Sequence, residues 1–326
     1  MRKEQKTNFI KYWQLAGLVP VVFLTYQCIS PFNNPLSRFI GEHAVFVMLG
    51  LFVLGMIAVM SHRPYVMLYT WLSCTLLCQF IKDSPKSPFY YAKANADQNT
   101  ISLAHFDFQN EHSGKALLVT VNEVEADLVS LLTQKVDNQN SKTIRILRQS
   151  YPHYIEINTN TDSKKNLLFS KFPIHVLDTF YFRGNPYISS CIQFDSCNSR
   201  VQFLNFNMVD KTEKHPDSLL NYFVNIADNW TELIRIEEPL MVFGDISSVS
   251  WAPELREFRN RLVLNDSRLD LSLIENNKHI FYSGHLRCTK FEQVENGVVG
   301  VYQLKPQNML QMEIRKQPNI PTFSLR

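Results

Sequence analysis

The chain opens with three long apolar runs and then changes rhythm. Tyr12 to Ile29, His43 to Ser61 and Pro64 to Ile81 each span about 18 or 19 residues, with no Asp, Glu, Lys or Arg inside them. At about 1.5 Å per residue, such a run just crosses a hydrocarbon core of about 30 Å. Three transmembrane helices are therefore predicted, at about 12–29, 43–61 and 64–81. A cleaved signal peptide would place small residues after the first run. Here Tyr26 to Ser30 leads instead into two further apolar runs, so the first one stays attached.

From Lys82 to Gln98, with Pro85 and Pro88, the pattern is that of an extended linker. Short strands and helices then alternate. Strands are predicted at Ile101–Phe108, Asp127–Leu132, His153–Asn158, Asn166–Ser170, Ile188–Phe194, Val201–Met208, Pro239–Phe243, His279–Ser283, Arg287–Gln293 and Val298–Leu304. Helices fall at Ser113–Glu125, Asp137–Gln149, Pro216–Ile236 and Pro253–Leu262. In the third of these, Leu219, Phe223, Ile226, Trp230 and Leu233 share one face. The mixture predicts two packed sheets with helices outside. Three regions result: an anchor and linker at 1–95, a globular domain at 96–305, and a Pro- and polar-rich tail at 306–326.

Charge divides the same way. Of 326 residues with a net charge of +3, residues 1–95 hold nine Lys or Arg against three Asp or Glu, and the remainder hold 24 against 27. The globular part therefore lacks the basic surface that phosphate-backbone binding needs, which argues against nucleic acid as a partner. Arg2, Lys3, Lys6 and Lys11 precede the first run, and His62 and Arg63 link the second to the third. Both places belong in the cytoplasm by the positive-inside rule. The bilayer of the inner membrane is the expected partner, and the domain emerges on the periplasmic or extracellular side. Cys191 and Cys197 are close enough in sequence for a disulfide there, and no zinc-type spacing of Cys and His occurs. Asn229-Trp230-Thr231 and Asn265-Asp266-Ser267 are acceptor sites only in a glycosylating host.

Several phrases carry a resemblance. They are Ile101 to Asn110, Ala126 to Leu132, Leu167 to Ile174, Met241 to Asp245, Ser250 to Pro253, Leu264 to Arg268, and His279 to Ser283. Together, and in this order over about 200 residues, the chain resembles the endonuclease/exonuclease/phosphatase superfamily; the apolar runs resemble its membrane-bound bacterial branch. The resemblance implies an α+β fold, a four-layer αββα sandwich, and a Mg²⁺-dependent phosphodiesterase or phosphomonoesterase.

Residue by residue, the implied site is depleted. Asp107 stands where the family has a metal-binding Asn, and keeps an oxygen ligand. Thr133 replaces the metal-binding Glu. Asn207 replaces a His; it donates hydrogen bonds but cannot form an imidazolium. Asp245 is retained, while Ser247 replaces the Asn that follows it. Lys278 replaces the Asp that orients a terminal His, and Asn296-Gly297-Val298 fall on Ser-Asp-His. His285, in Ser283-Gly284-His285, is an alternative general base. His105, His112, His153 and His175 read as ordinary polar or partly buried groups, and Asp245 is as well explained by its turn as by a metal.

The expectation is thus a membrane-anchored, catalytically impaired module that binds a protein or a phosphate-containing ligand outside the cytoplasm, with no cofactor. The alternative is a divergent phosphoesterase that uses Asp107 and Asp245 on Mg²⁺ or Mn²⁺, with Asn207 or His285 assisting. A structural membrane subunit is the third possibility.

Overall fold

The computed structural model describes residues 17–32, 34–84, 100–108, 111–134, 141–158, 164–182, 185–194, 199–207, 238–246, 249–268 and 278–304. The predicted helix 216–236, the tail 306–326, Cys197, Ser247 and most of the linker lie outside these residues.

Among the described residues four helices come first: α1 (Leu18–Ile29), α2 (Pro35–Glu42), α3 (Ala44–Met60) and α4 (Pro64–Asp83). α2 is an addition to the sequence reading, being too short to leave a periodic signal. Asn34 caps it, its side-chain oxygen accepting from Ser37 N at 2.7 Å. The three predicted spans need correcting. Among the described residues only α4 is long and apolar enough to cross a membrane alone. α3 has 17 residues and qualifies only as part of one span with α2, from which it is bent by 76°. α1 is a shorter apolar helix, and residues 12–16 of its predicted span are outside the described chain. α3 and α4 pack closely where Gly55 lies against Trp71 and Thr70, leaving no room for a Cβ.

The rest of the described chain forms two six-stranded mixed sheets. β1 (Thr100–Phe108), α5 (Glu111–Val124), β2 (Leu128–Gln134), α6 (Lys142–Ser150), β3 (His153–Asn158) and β4 (Lys164–Ser170) begin it. β5 (Ile174–Phe182), β6 (Asn185–Phe194), β7 (Ser199–Asn207), β8 (Leu240–Asp245), α7 (Pro253–Leu262), β9 (Leu264–Asp266), β10 (Lys278–Ser283), β11 (Leu286–Val294) and β12 (Gly297–Leu304) complete it. One sheet has the order β11-β12-β1-β2-β4-β3 and the other β5-β6-β7-β8-β10-β9. Each has one parallel pair at its centre, β1 with β2 and β7 with β8.

Alternation along β1 explains the layering, since successive side chains point to opposite faces. Ile101 and Leu103 enter the core between the sheets with Phe203, Met241, Phe243, Ile280 and Tyr302. Ala104 and Phe106 face outward, under Leu117 and Val121 of α5 and Ile144 and Leu147 of α6. On the other sheet Phe258 of α7 meets Phe281 edge-on at 6.1 Å. The predicted α+β sandwich with helices outside is therefore present. β5 and the three-residue β9 were not predicted, and Asn265 in β9 is buried, which removes it as a glycosylation acceptor.

Candidate functional site

The inner faces of the two sheets change character along their length. At one end Tyr282, paired with Met241 at the start of β8, packs on Tyr302, paired with Ile101 at the start of β1, with ring centroids 5.5 Å apart. At the other end the strands carry polar side chains inward. His105 Nε2 lies 3.2 Å from Asp245 Oδ1 and its Nδ1 3.0 Å from Ser130 Oγ. Asn205 Nδ2 donates to Ser130 Oγ and to Asn166 Oδ1, both at 3.0 Å. Lys278 Nζ is 3.1 Å from the same Asp245 Oδ1. Six strands, three from each sheet, thus supply one connected polar cluster.

The hydrogen-bond directions form a consistent chain. Asn205 donates to Ser130 Oγ, that hydroxyl bonds His105 Nδ1, and the His105 Nε2–H donates to Asp245. Burial alone would raise the Asp245 carboxyl; the hydrogen bond from His105 and the charges of His105 and Lys278 outweigh it and hold the pKa at about 2. Asp245 is therefore an ionised carboxylate with two donors on one oxygen.

The residues singled out in the sequence divide in two. Asp107 lies two residues beyond His105 at the same strand end, half-buried, with its N–H donating to Asn296 O at 2.9 Å. Asn207 is in register with Asp245 across the parallel β7–β8 pair. Thr133 is buried near the end of β2. Phe106 pairs with Gly297 and His105 with Val298, which brings the Asn296-Gly297-Val298 stretch beside β1. These positions share one end of the sandwich. His285 does not join them: it follows Ser283, whose Oγ accepts from Leu240 N at 3.0 Å at the beginning of β8, and lies 3.4 Å from that hydroxyl. Asp245 pairs instead with Lys278, five residues earlier on β10, roughly 17 Å away at about 3.4 Å per residue.

Sequence alone gives His105 as an ordinary polar group and singles out none of Ser130, Asn166 and Asn205 as a site residue. A signal existed: each is a polar residue at an inward position of an otherwise apolar strand, and such residues need partners.

This sheet arrangement is found in solved structures. The catalytic domain of human Nocturnin, solved with a bound sulfate anion, matches with a TM-score of 0.51 and 13% identity, over 65% of this chain and 97% of that one. The domain has the endonuclease/exonuclease/phosphatase fold. The Bacteroides vulgatus endonuclease/exonuclease/phosphatase gives a TM-score of 0.49 at 13% identity, over 64% and 100% of the two chains. The Bacteroides thetaiotaomicron mannosyl-6-phosphatase gives 0.45 at 12%, over 63% and 99%. No family model and no curated protein matches the sequence. At such identities the likeness concerns the fold alone.

The fold family implies a divalent cation, and the described residues do not fit one. Mg²⁺ wants several oxygen ligands at about 2.0–2.1 Å in octahedral array. Here the Asp245 oxygen already holds an ammonium and an imidazole N–H, and Thr133 offers a neutral hydroxyl. Among the described residues no three His, Cys, Asp or Glu side chains converge as they would around a metal.

Proposed function

We propose that this chain is a membrane-attached protein whose endonuclease/exonuclease/phosphatase-fold domain is catalytically impaired and binds a phosphate-containing ligand or a protein outside the cytoplasm. The observation that carries the reading is the placement of Lys278 Nζ and His105 Nε2 on one oxygen of Asp245, at 3.1 and 3.2 Å. A divalent cation brought to within about 4 Å of the ammonium would meet a repulsion of roughly 8 kcal/mol at an effective dielectric near 20. Lysine supplies internally the positive charge that a metal would bring, but offers no empty coordination position for water or a phosphoryl oxygen.

Membrane attachment is supported by the bundle. Only 22% of the apolar window of α4 is buried, unlike the core helix of a soluble domain. Phe46, Leu49, Phe52, Val53 and Ile57 of α3, with Leu68, Trp71, Leu72 and Leu76 of α4, form an exposed apolar belt. With the His62–Arg63 link in the cytoplasm, α4 leads the sandwich to the opposite side.

The test is phosphomonoester and phosphodiester hydrolysis by the full chain in nanodiscs with Mg²⁺ or Mn²⁺, beside Asp107→Ala and Asp245→Ala. No metal-dependent turnover is expected. Turnover that both substitutions abolish would overturn the reading and establish a divergent phosphoesterase.

A further inference from the structure

The bundle and the sandwich meet through one short segment. Trp251 Nε1 donates to Gly41 O at 2.9 Å, and the indole packs against the bundle core. Glu254 pairs with Arg38 at 2.9 Å, both side chains being largely buried. The Arg256 guanidinium lies over the Phe80 ring, 4.9 Å from its centroid. All three contacts come from residues 251–256, the stretch that follows Asp245 at the end of β8. Their partners are α2 and the last turn of α4.

α2 has two unlike sides. Arg38 and Gly41, three residues apart, meet the sandwich, and Ser37 bonds Gln27 of α1. Leu36 and Phe39, also three apart, are 70% and 56% exposed. The exposed side continues into the apolar belt of α3 through Phe46. The 76° bend between the helices means that when α3 runs along a bilayer normal, α2 lies within about 14° of the bilayer plane.

We infer that α2 is an interfacial helix whose Leu36 and Phe39 enter the headgroup–acyl boundary, and that its other side clamps the sandwich with its polar strand ends toward the bilayer. The partner of this surface is the lipid headgroup layer. The nearest phosphates to Asp245, Lys278 and His105 are then those of phospholipids. The inference rests on the membrane reading above and adds a direction to it.

The test places a benzophenone photo-crosslinking residue, one at a time, at Phe52, Phe39, Glu257 and Arg287 of the full chain in phospholipid nanodiscs, with adducts read by mass spectrometry. Arg287 is exposed and pairs with Gln303, which pairs with Thr100, at the end of the sandwich opposite Asp107. Phospholipid adducts are expected at 52, 39 and 257 and absent at 287. Trp251→Ala combined with Glu254→Ala should abolish the adducts at 257 and leave those at 52 and 39. Adducts at 52 without 39, or equal yields at 257 and 287, overturn the clamp and leave membrane attachment standing. Absence at 52 overturns attachment and the clamp together.

Discussion

Asp245 and Asp266 lie in β8 and β9 with β10 between them, and consecutive residues of β10 serve the two carboxylates. Lys278 points inward to Asp245 at 3.1 Å; His279 points outward to Asp266 at 3.7 Å, where Arg259 of α7 also lies at 3.6 Å. Burial raises both carboxyls. It is outweighed at Asp245 by His105 and Lys278, and at Asp266 by His279, Arg259 and Arg268, leaving each at about 2. The surroundings nonetheless differ. Asp266 is wholly buried and ties α7 to the sheet, whereas the Asp245 side chain keeps 13% of its surface at the strand ends. Equal acidity thus accompanies unequal settings: one carboxylate is a rivet within the domain, and the other stands partly exposed at the strand ends.

The largest test of that contrast is acid. Both groups are depressed from 3.8, so the stability they add is complete above about pH 4 and is lost as pH falls toward 2. Holding each carboxyl at about 2 instead of 3.8 corresponds to about 2–3 kcal/mol, about 5 together. Urea unfolding of the full chain in detergent between pH 5 and pH 2 should show this fall, with Asp245→Asn removing about half of it. Next, Asp266→Asn should cost about 3–5 kcal/mol, because Arg259 stays buried without its counter-charge. Denaturation at pH 7 measures it. Lys278→Met should cost less, about 1–3 kcal/mol, since His105 still donates to Asp245. In that variant the carboxylate has lost its ammonium, and calorimetric titration should detect Mn²⁺ where the parent chain shows none. The smallest effect is expected from Ser130→Ala, about 1 kcal/mol for the link between Asn205 and His105, read by the same unfolding curves.

Much of the sandwich was legible because its strands alternate. Ile101–Phe108 and Val298–Leu304 were found almost to their ends, since one face enters the core and the other packs under helices or faces solvent. β5 was missed for a local reason: its register shifts between Val176 and Asp178, which breaks the period of two. The position of Lys278 was recognised as a substitution, and the cross-strand pairing that returns its ammonium to Asp245 was not, because that pairing depends on the register of β10 against β8. His105 looked ordinary for the same reason. Its partners, Ser130 and Asp245, are 25 and 140 residues away in the chain. His285, an alternative base only because Ser283-Gly284-His285 resembles Ser-Asp-His, is carried to the far end by the antiparallel direction of β10.

β1 sits between β2 and β12, so Thr100 at the start of the domain pairs with Gln303 at its close. A nascent chain emerging N-terminus first therefore presents β1 with one edge unpaired until the last strand has been synthesised. Closure across about 200 residues makes the sheet slow to complete and exposes it to mispairing in the interval. If α4 is lodged in a membrane as proposed, synthesis there holds that open edge at a surface and away from other copies of itself.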